Sequence, residues 1–203
     1  EGCAACMHAC PTGAISMLEA ASGRWFRSQT RCGTLFHAEL FAGQENSGKL
    51  VTELRTRSRD WASDHGADMV LVDGPPGIGC PVIAASTGMD LALLVTEPTI
   101  SGVHDLERIF QTTRHFQLPA LVVINKADLN RERAEEIRSF CEANGTKVVA
   151  EIPFDNAIPK AMVRGRPITE VKGSPAADAV RGLWSMLKEE CLADSIKESS
   201  MGS

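Results

Sequence analysis

Several things this sequence lacks narrow what it can be. No stretch of its 203 residues gathers enough lysine and arginine to build a basic groove, and the net charge is −5. That balance argues against a nucleic-acid backbone as the main partner. No run approaches the ~20 apolar residues needed to span a bilayer. Neither a signal segment nor an amphipathic transit segment opens the chain, so a cytoplasmic location is expected. Evenly spaced cysteines are missing too: the seven present are an odd number, which argues against a secreted disulfide framework. Aromatic residues are only 5% of the chain.

What is present, 43% hydrophobic and 23% charged residues, suits one globular domain, or one plus a small appendage. The opening EGCAACMHACPTGA is too rich in Cys, Ala and Gly for an amphipathic element and reads as a loop wrapped around something. A poorly patterned stretch follows, in which Gly33 to Phe41 is the best strand candidate. From Lys49 short apolar runs alternate with helical periodicity. The runs are Met69 to Val72, Leu91 to Val95, Leu121 to Ile124 and Val148 to Ala150. Such runs, rich in Val, Ile and Leu, are expected of strands buried on both faces.

Helices are predicted between them, at about 81–86, 103–116 and 131–143, the last capped by Asn130 and stopped by Asn144-Gly145. A final helix over 176–191 precedes a polar tail. This rhythm predicts an α/β fold with a mostly parallel sheet and flanking helices. Ligands bind such sheets at the carboxyl ends of the strands.

After the first run comes Asp73-Gly74-Pro75-Pro76-Gly77. In phosphate-handling folds an acid at this point holds Mg²⁺ through water, and the loop after it senses the terminal phosphate. The plainer alternative is an Asp that only orders the loop into the next helix. The third run ends in Asn125-Lys126-Ala127-Asp128. Here an amide and a carboxylate can address the edge of a purine while the lysine stem packs on its face. A turn dressing the next helix is the alternative. Glu97-Pro98-Thr99 and Ile152-Pro153-Phe154-Asp155 punctuate the second and fourth runs and read as walls of the same site. The stretch Gly43 to Lys49 fits Gly-x4-Gly-Lys but puts Leu50 where a metal-binding hydroxyl belongs and Glu45 beside the phosphates. It reads better as an ordinary loop and helix start.

The first cysteines obey Cys3-x2-Cys6-x3-Cys10-Pro11, three-quarters of the bacterial ferredoxin run. A zinc knuckle competes with this reading. Cys80 lies at a helix start, where a thiolate is favoured, but a plain packing role is the better reading.

With these residues together, the chain resembles the deviant-Walker P-loop ATPases of the MinD/Mrp type that carry an inserted two-cluster ferredoxin domain. Members are often labelled cobyrinic acid a,c-diamide synthase or nitrogenase-iron-protein-like. The carriers are CAACMHACPTGAI, ENSGKLV, LVDGPPGIGCPVIAA, LLVTEPTISGVHDLERI, VVINKADLN and EIPFDNAIPKAMVRGRPITE. The resemblance implies that Asp73 belongs to the Mg²⁺ shell, that Gly77 is the switch glycine, and that Asn125, Lys126, Asp128 and Pro153 line the nucleotide. It makes Cys3, Cys6 and Cys10 ligands of 4Fe-4S clusters, with Cys10 serving a different cluster from the other two. Neither ligand set is complete within this chain.

The resemblance also implies a longer parent, with the phosphate loop on a strand upstream of Glu1 and beside the strand ending at Asp73. Residues 1–22 then form the second half of the ferredoxin insert, 23–48 the return segment, 49–192 an ATPase core lacking its first strand, and 193–203 a disordered tail. The expected activity is ATP hydrolysis across a homodimer, coupled to electron delivery or cluster transfer toward an unidentified redox or cluster-acceptor protein. The chain alone is expected to be inactive. Two alternatives stand beside it: a GTPase metallochaperone of the nickel-insertion type, favoured by Asn125-Lys126-Ala127-Asp128, and a non-catalytic iron–sulfur or interaction module.

Overall fold

The amino-terminal part contains an antiparallel hairpin that apolar patterning conceals. In the computed structural model, which describes residues 4–18, 21–44 and 48–201 (190–201 by backbone alone), the chain divides into two compact units, Glu1–Thr87 and Gly88–Ser203. The first begins with a short helix α1 (Ala5–Ala9) where a loop is expected. Strand β1 (Gly23–Thr30) then pairs with β2 (Gly33–Leu40). The sequence pattern anticipates only β2. Trp25 and Phe26 point to opposite faces of β1 and so disguise its period of two.

One face of the hairpin meets α2 (Lys49–His65), with Arg57 lying 4.2 Å over the Trp25 ring and Phe36 and Trp61 centred 6.2 Å apart. On the other face Phe26 stacks on His37 at 5.2 Å. Helix α3 (Cys80–Ser86) follows, and the guanidinium of Arg55 donates to the carbonyls of Ala84 and Thr87 at its carboxyl end, where a cation is favoured.

Met69 to Val72 is not a strand. The run is irregular, and Leu71 is 81% exposed. A segment apolar on both faces is stable as a strand only with hydrogen-bonded neighbours at its edges.

In the second unit the remaining runs form a parallel sheet in sequence order: β3 (Ala92–Thr96), β4 (Ala120–Asn125) and β5 (Lys147–Ile152). Helices α4 (Ile100–His115) and α5 (Arg131–Ala143) make the crossovers. Both pack on one face, where Leu106, Phe110 and Ile137 surround Val122 and Ile124. Val122, Val123 and Ile124 have no exposed surface, as expected of a strand covered on both sides. The opposite face is covered through Val123, Ile152 and Ala176 by α7 (Pro175–Met201), after a short α6 (Ala157–Val163) and a 3-10 turn at Ile168–Glu170.

The final helix therefore runs past Cys191 as far as Met201. No glycine or proline lies between Pro175 and Met201 except Gly182, so nothing in that stretch breaks it. Arg138 on α5 bonds both carboxylate oxygens of Glu151 on β5, at 2.7 and 2.9 Å. On its open side β3 has no hydrogen-bonded strand among the described residues, and its Val95 is 62% exposed. No described helix is long and apolar enough to cross a membrane.

Candidate functional site

The carboxyl ends of β3, β4 and β5 meet in one polar rim. Parallel register sets Glu97, Asn125 to Asp128 and Pro153 to Asp155 side by side, which is where open α/β sheets bind ligands. Glu97 Oε1 accepts from Asn125 Nδ2 at 3.2 Å and pairs with Lys126 Nζ at 2.7 Å. A carboxylate can only accept, so this bond turns the Asn125 nitrogen toward Glu97 and leaves its Oδ1 as an acceptor. Both partners of the ion pair are more than a third exposed; its contribution to stability is small, and its effect is to hold the side chains in place.

Lys126 has φ +53°, in the left-handed region, and turns the chain off β4. The turn is closed by the Ala127 N–H donating to the Ile152 carbonyl at 3.0 Å. Asp128 Oδ1 then accepts the Phe154 N–H at 2.7 Å, tying the loop after β4 to the loop after β5. Lys126 Nζ and Asp128 Oδ1 thus also have partners within the rim.

Glu97 acquires a role that no local pattern disclosed. Its backbone is held by a tight turn in which Thr96 Oγ1 donates to the Gly102 carbonyl at 2.9 Å and the Gly102 N–H donates to Thr99 Oγ1 at 3.0 Å. Any Cβ on Gly102 would lie 2.2 Å from the Glu97 carbonyl oxygen. Ser174 is a second addition. Its hydroxyl caps α7 by accepting from the Ala177 N–H at 3.1 Å and donates to Asp155 Oδ2 at 2.6 Å. Asp155 also accepts from the Ala157 N–H. The Ser174 hydroxyl, then this N–H, hold its carboxyl below the usual range. Ser-Pro ahead of an apolar run marks an N-cap, so the cap was available from sequence, though the bond to Asp155 was not.

The other candidates lie in the first unit. Asp73 is exposed in the irregular segment before α3, and Gly77 has φ +91°, a conformation that favours glycine. Gly48, with φ +83°, opens α2. A Cβ there would meet the Cys80 carbonyl oxygen at 3.1 Å and the Ala84 Cβ at 3.2 Å, so close packing of α2 on α3 accounts for this glycine. Cys3 lies outside the described residues. Cys6 is exposed, and Cys10 sits 3.5 Å from the Thr12 hydroxyl. That hydroxyl, and then the N–H groups of Thr12 and Ala14, lower the Cys10 thiol to about 7.

Magnesium needs only one or two carboxylates besides nucleotide phosphates, so a single Asp73 suits it. An iron–sulfur cluster needs four thiolates. No group of three or more metal-ligating side chains occurs among the described residues, so they do not complete a cluster.

No protein-family model matches the chain. It is similar to an uncharacterized protein of Methanocaldococcus jannaschii, 30% identical over 155 residues, which are 76% of this chain and 51% of that protein. It is also similar to the iron-sulfur cluster carrier protein of Aquifex aeolicus, 24% identical over 133 residues, covering 60% of this chain and 36% of that one. The chain thus spans about half or less of the curated relatives it matches.

Among solved structures, the MinD cell division protein of Aquifex aeolicus superposes with a TM-score of 0.59 at 21% identity, over 68% of this chain and 61% of that one. The septum site-determining protein MinD of Pyrococcus horikoshii, complexed with Mg-ADP, gives 0.54 at 25% identity, over 67% and 54%. The fold is that of the MinD-type P-loop ATPases.

Proposed function

We propose that the rim of the second unit binds the base of an adenine nucleotide, and that this chain is part of a MinD-type ATPase. The Asn125–Glu97 hydrogen bond carries the reading. It leaves the Asn125 oxygen as an acceptor for an exocyclic amino group, which adenine has where guanine has a carbonyl. The carboxylate of Glu97 beside it repels such a carbonyl. Asp128 Oδ1 already accepts from the Phe154 N–H, so guanine N–H groups would have to share that oxygen or use Oδ2 alone. Pro153 forms the adjoining wall. The Mg-ADP complex of the MinD relative supports this nucleotide class.

Asp73 would hold Mg²⁺ through water, and the loop through Gly77 would move with the state of the terminal phosphate. The ion neutralises charge on the phosphates when bound. On this reading a phosphate loop and a second protomer complete the site. The iron–sulfur part of the proposal rests on Cys3-x2-Cys6-x3-Cys10-Pro11 and is supported by the carrier protein among the relatives. It makes these cysteines partial ligands of clusters completed elsewhere.

The test is equilibrium binding of fluorescent adenine and guanine nucleotides to the natural full-length protein. Adenine should bind more tightly, and Asn125→Ala should weaken it about tenfold, the effect of one buried hydrogen bond. Preference for guanine would refute the assignment and favour the metallochaperone. The 203-residue chain alone should not turn over ATP. Activity abolished by Lys49→Ala would show Gly43 to Lys49 to be a phosphate loop.

A further inference from the structure

Helix α6 and the segment after it line a cavity of about 290 Å³ that the rim does not use. Its formation is plain from the sequence. Ala157 and Ala161 are one turn apart on α6, and Lys160 lies four residues before the C-cap Arg164, so small side chains leave space beside two cations. Gly165, with φ +61°, reverses the chain, and the Arg166 N–H returns to the Ala161 carbonyl at 3.0 Å. The 3-10 turn then brings Lys172 to the same wall.

Four cations thus face one space, with a single carboxylate, Glu170, among the lining residues. Arg166 is paired with Glu170 at 3.2 Å, and Lys160 acts on Asp155 at the start of α6. Arg164 and Lys172 have no ion-pair partner among the described residues. In a chain of net charge −5, such a concentration of positive charge is a standing repulsion that a bound anion would relieve. Guanidinium groups match phosphate oxygens in pairs, and ammonium groups act as point charges beside them. The volume lies at the lower end of the range for small-ligand sites, large enough for one or two phosphate groups and too small for a folded partner.

We propose that this cavity binds a small phosphate-bearing anion with two or more negative charges. The proposal uses none of the residues assigned to the adenine nucleotide and stands apart from that reading.

The experiment is calorimetric titration of the full chain with inorganic pyrophosphate, against sodium chloride at matched ionic strength. The expected result is a dissociation constant below about 1 mM, weakened at least about tenfold by Arg164→Gln combined with Lys172→Gln. Lys49→Ala should leave binding intact, which separates this cavity from any phosphate loop. Arg164→Lys with Lys172→Arg keeps both charges and should retain most of the affinity, which separates loss of charge from loss of fold. Three results would overturn the proposal: heat no larger than that of chloride, unchanged affinity in the neutralised double variant, or tighter binding of an aspartate-rich peptide than of pyrophosphate. The last would identify a protein partner instead.

Discussion

Replacing Gly102 by alanine tests how the rim is held. The added Cβ would stand 2.2 Å from the Glu97 carbonyl oxygen and 3.1 Å from the hydroxyls of Thr96 and Thr99. The first contact is about 0.8 Å closer than real Cβ atoms tolerate, and its partner is backbone, so it cannot be relieved by rotating a side chain. Either α4 or the turn after β3 must shift, and both hydrogen bonds of Gly102 shift with it. Overpacking of this kind costs about 1–3 kcal/mol. For a unit of this size that is a fall of about 4–12 °C in melting temperature, read by circular dichroism.

Gly182 provides a control of opposite sign. It lies within α7, with nothing within 4 Å of where an added methyl group would sit, so Gly182→Ala should stabilise by about 0.5–1 kcal/mol. The Gly102→Ala protein should also bind adenine nucleotides less tightly, because Glu97 no longer meets Asn125 and Lys126. A Gly102→Ala variant within about 0.5 kcal/mol of the parent, the range of an ordinary surface change, would refute this account of the turn.

Two further expectations concern protonation. The Cys10 thiol, lowered to about 7, should be alkylated by iodoacetamide with a pH midpoint near that value. Thr12→Val should move the midpoint up toward an ordinary thiol, while Cys141, which burial pushes up to about 11, should react only on unfolding. An unmoved midpoint in Thr12→Val would show that the hydroxyl is not the cause. Asp155 has a lowered folded-state value, so its contribution is present at neutral pH and is lost as the pH falls through the carboxylate range. The melting-temperature gap between wild type and Asp155→Ala should therefore narrow in acid, and a gap independent of pH would contradict the bonding to Ser174 and Ala157.

Most of the second unit was legible in the sequence. Leu121 to Ile124 is apolar at every position, Asn130 caps α5 through the Arg133 N–H, and α5 ends at Ala143, before Asn144-Gly145. All these signals are local. Met69 to Val72 carries an equally strong local signal and is no strand, because pairing depends on segments distant in sequence. Strand β1 was concealed for a different reason: its aromatic residues divide between two faces. At the rim, Asn125 and Asp128 were legible as residues, but their partners were not. The Glu97–Asn125 contact spans 28 positions and exists only through the register of β3 with β4. Gly102 carried no signal, since its importance lies in what a side chain would strike.

The edge of β3 that has no strand beside it among the described residues also bears on how this polypeptide should behave in concentrated solution. Unpaired N–H and C=O groups along a flat, apolar strand template the addition of any extended chain, and Val70-Leu71-Val72 supplies such a segment in every copy. Solubility of the 203-residue chain is therefore expected to depend on whether that edge is occupied. A strand seated along β3 removes the template, and without one copies recruit each other as concentration rises.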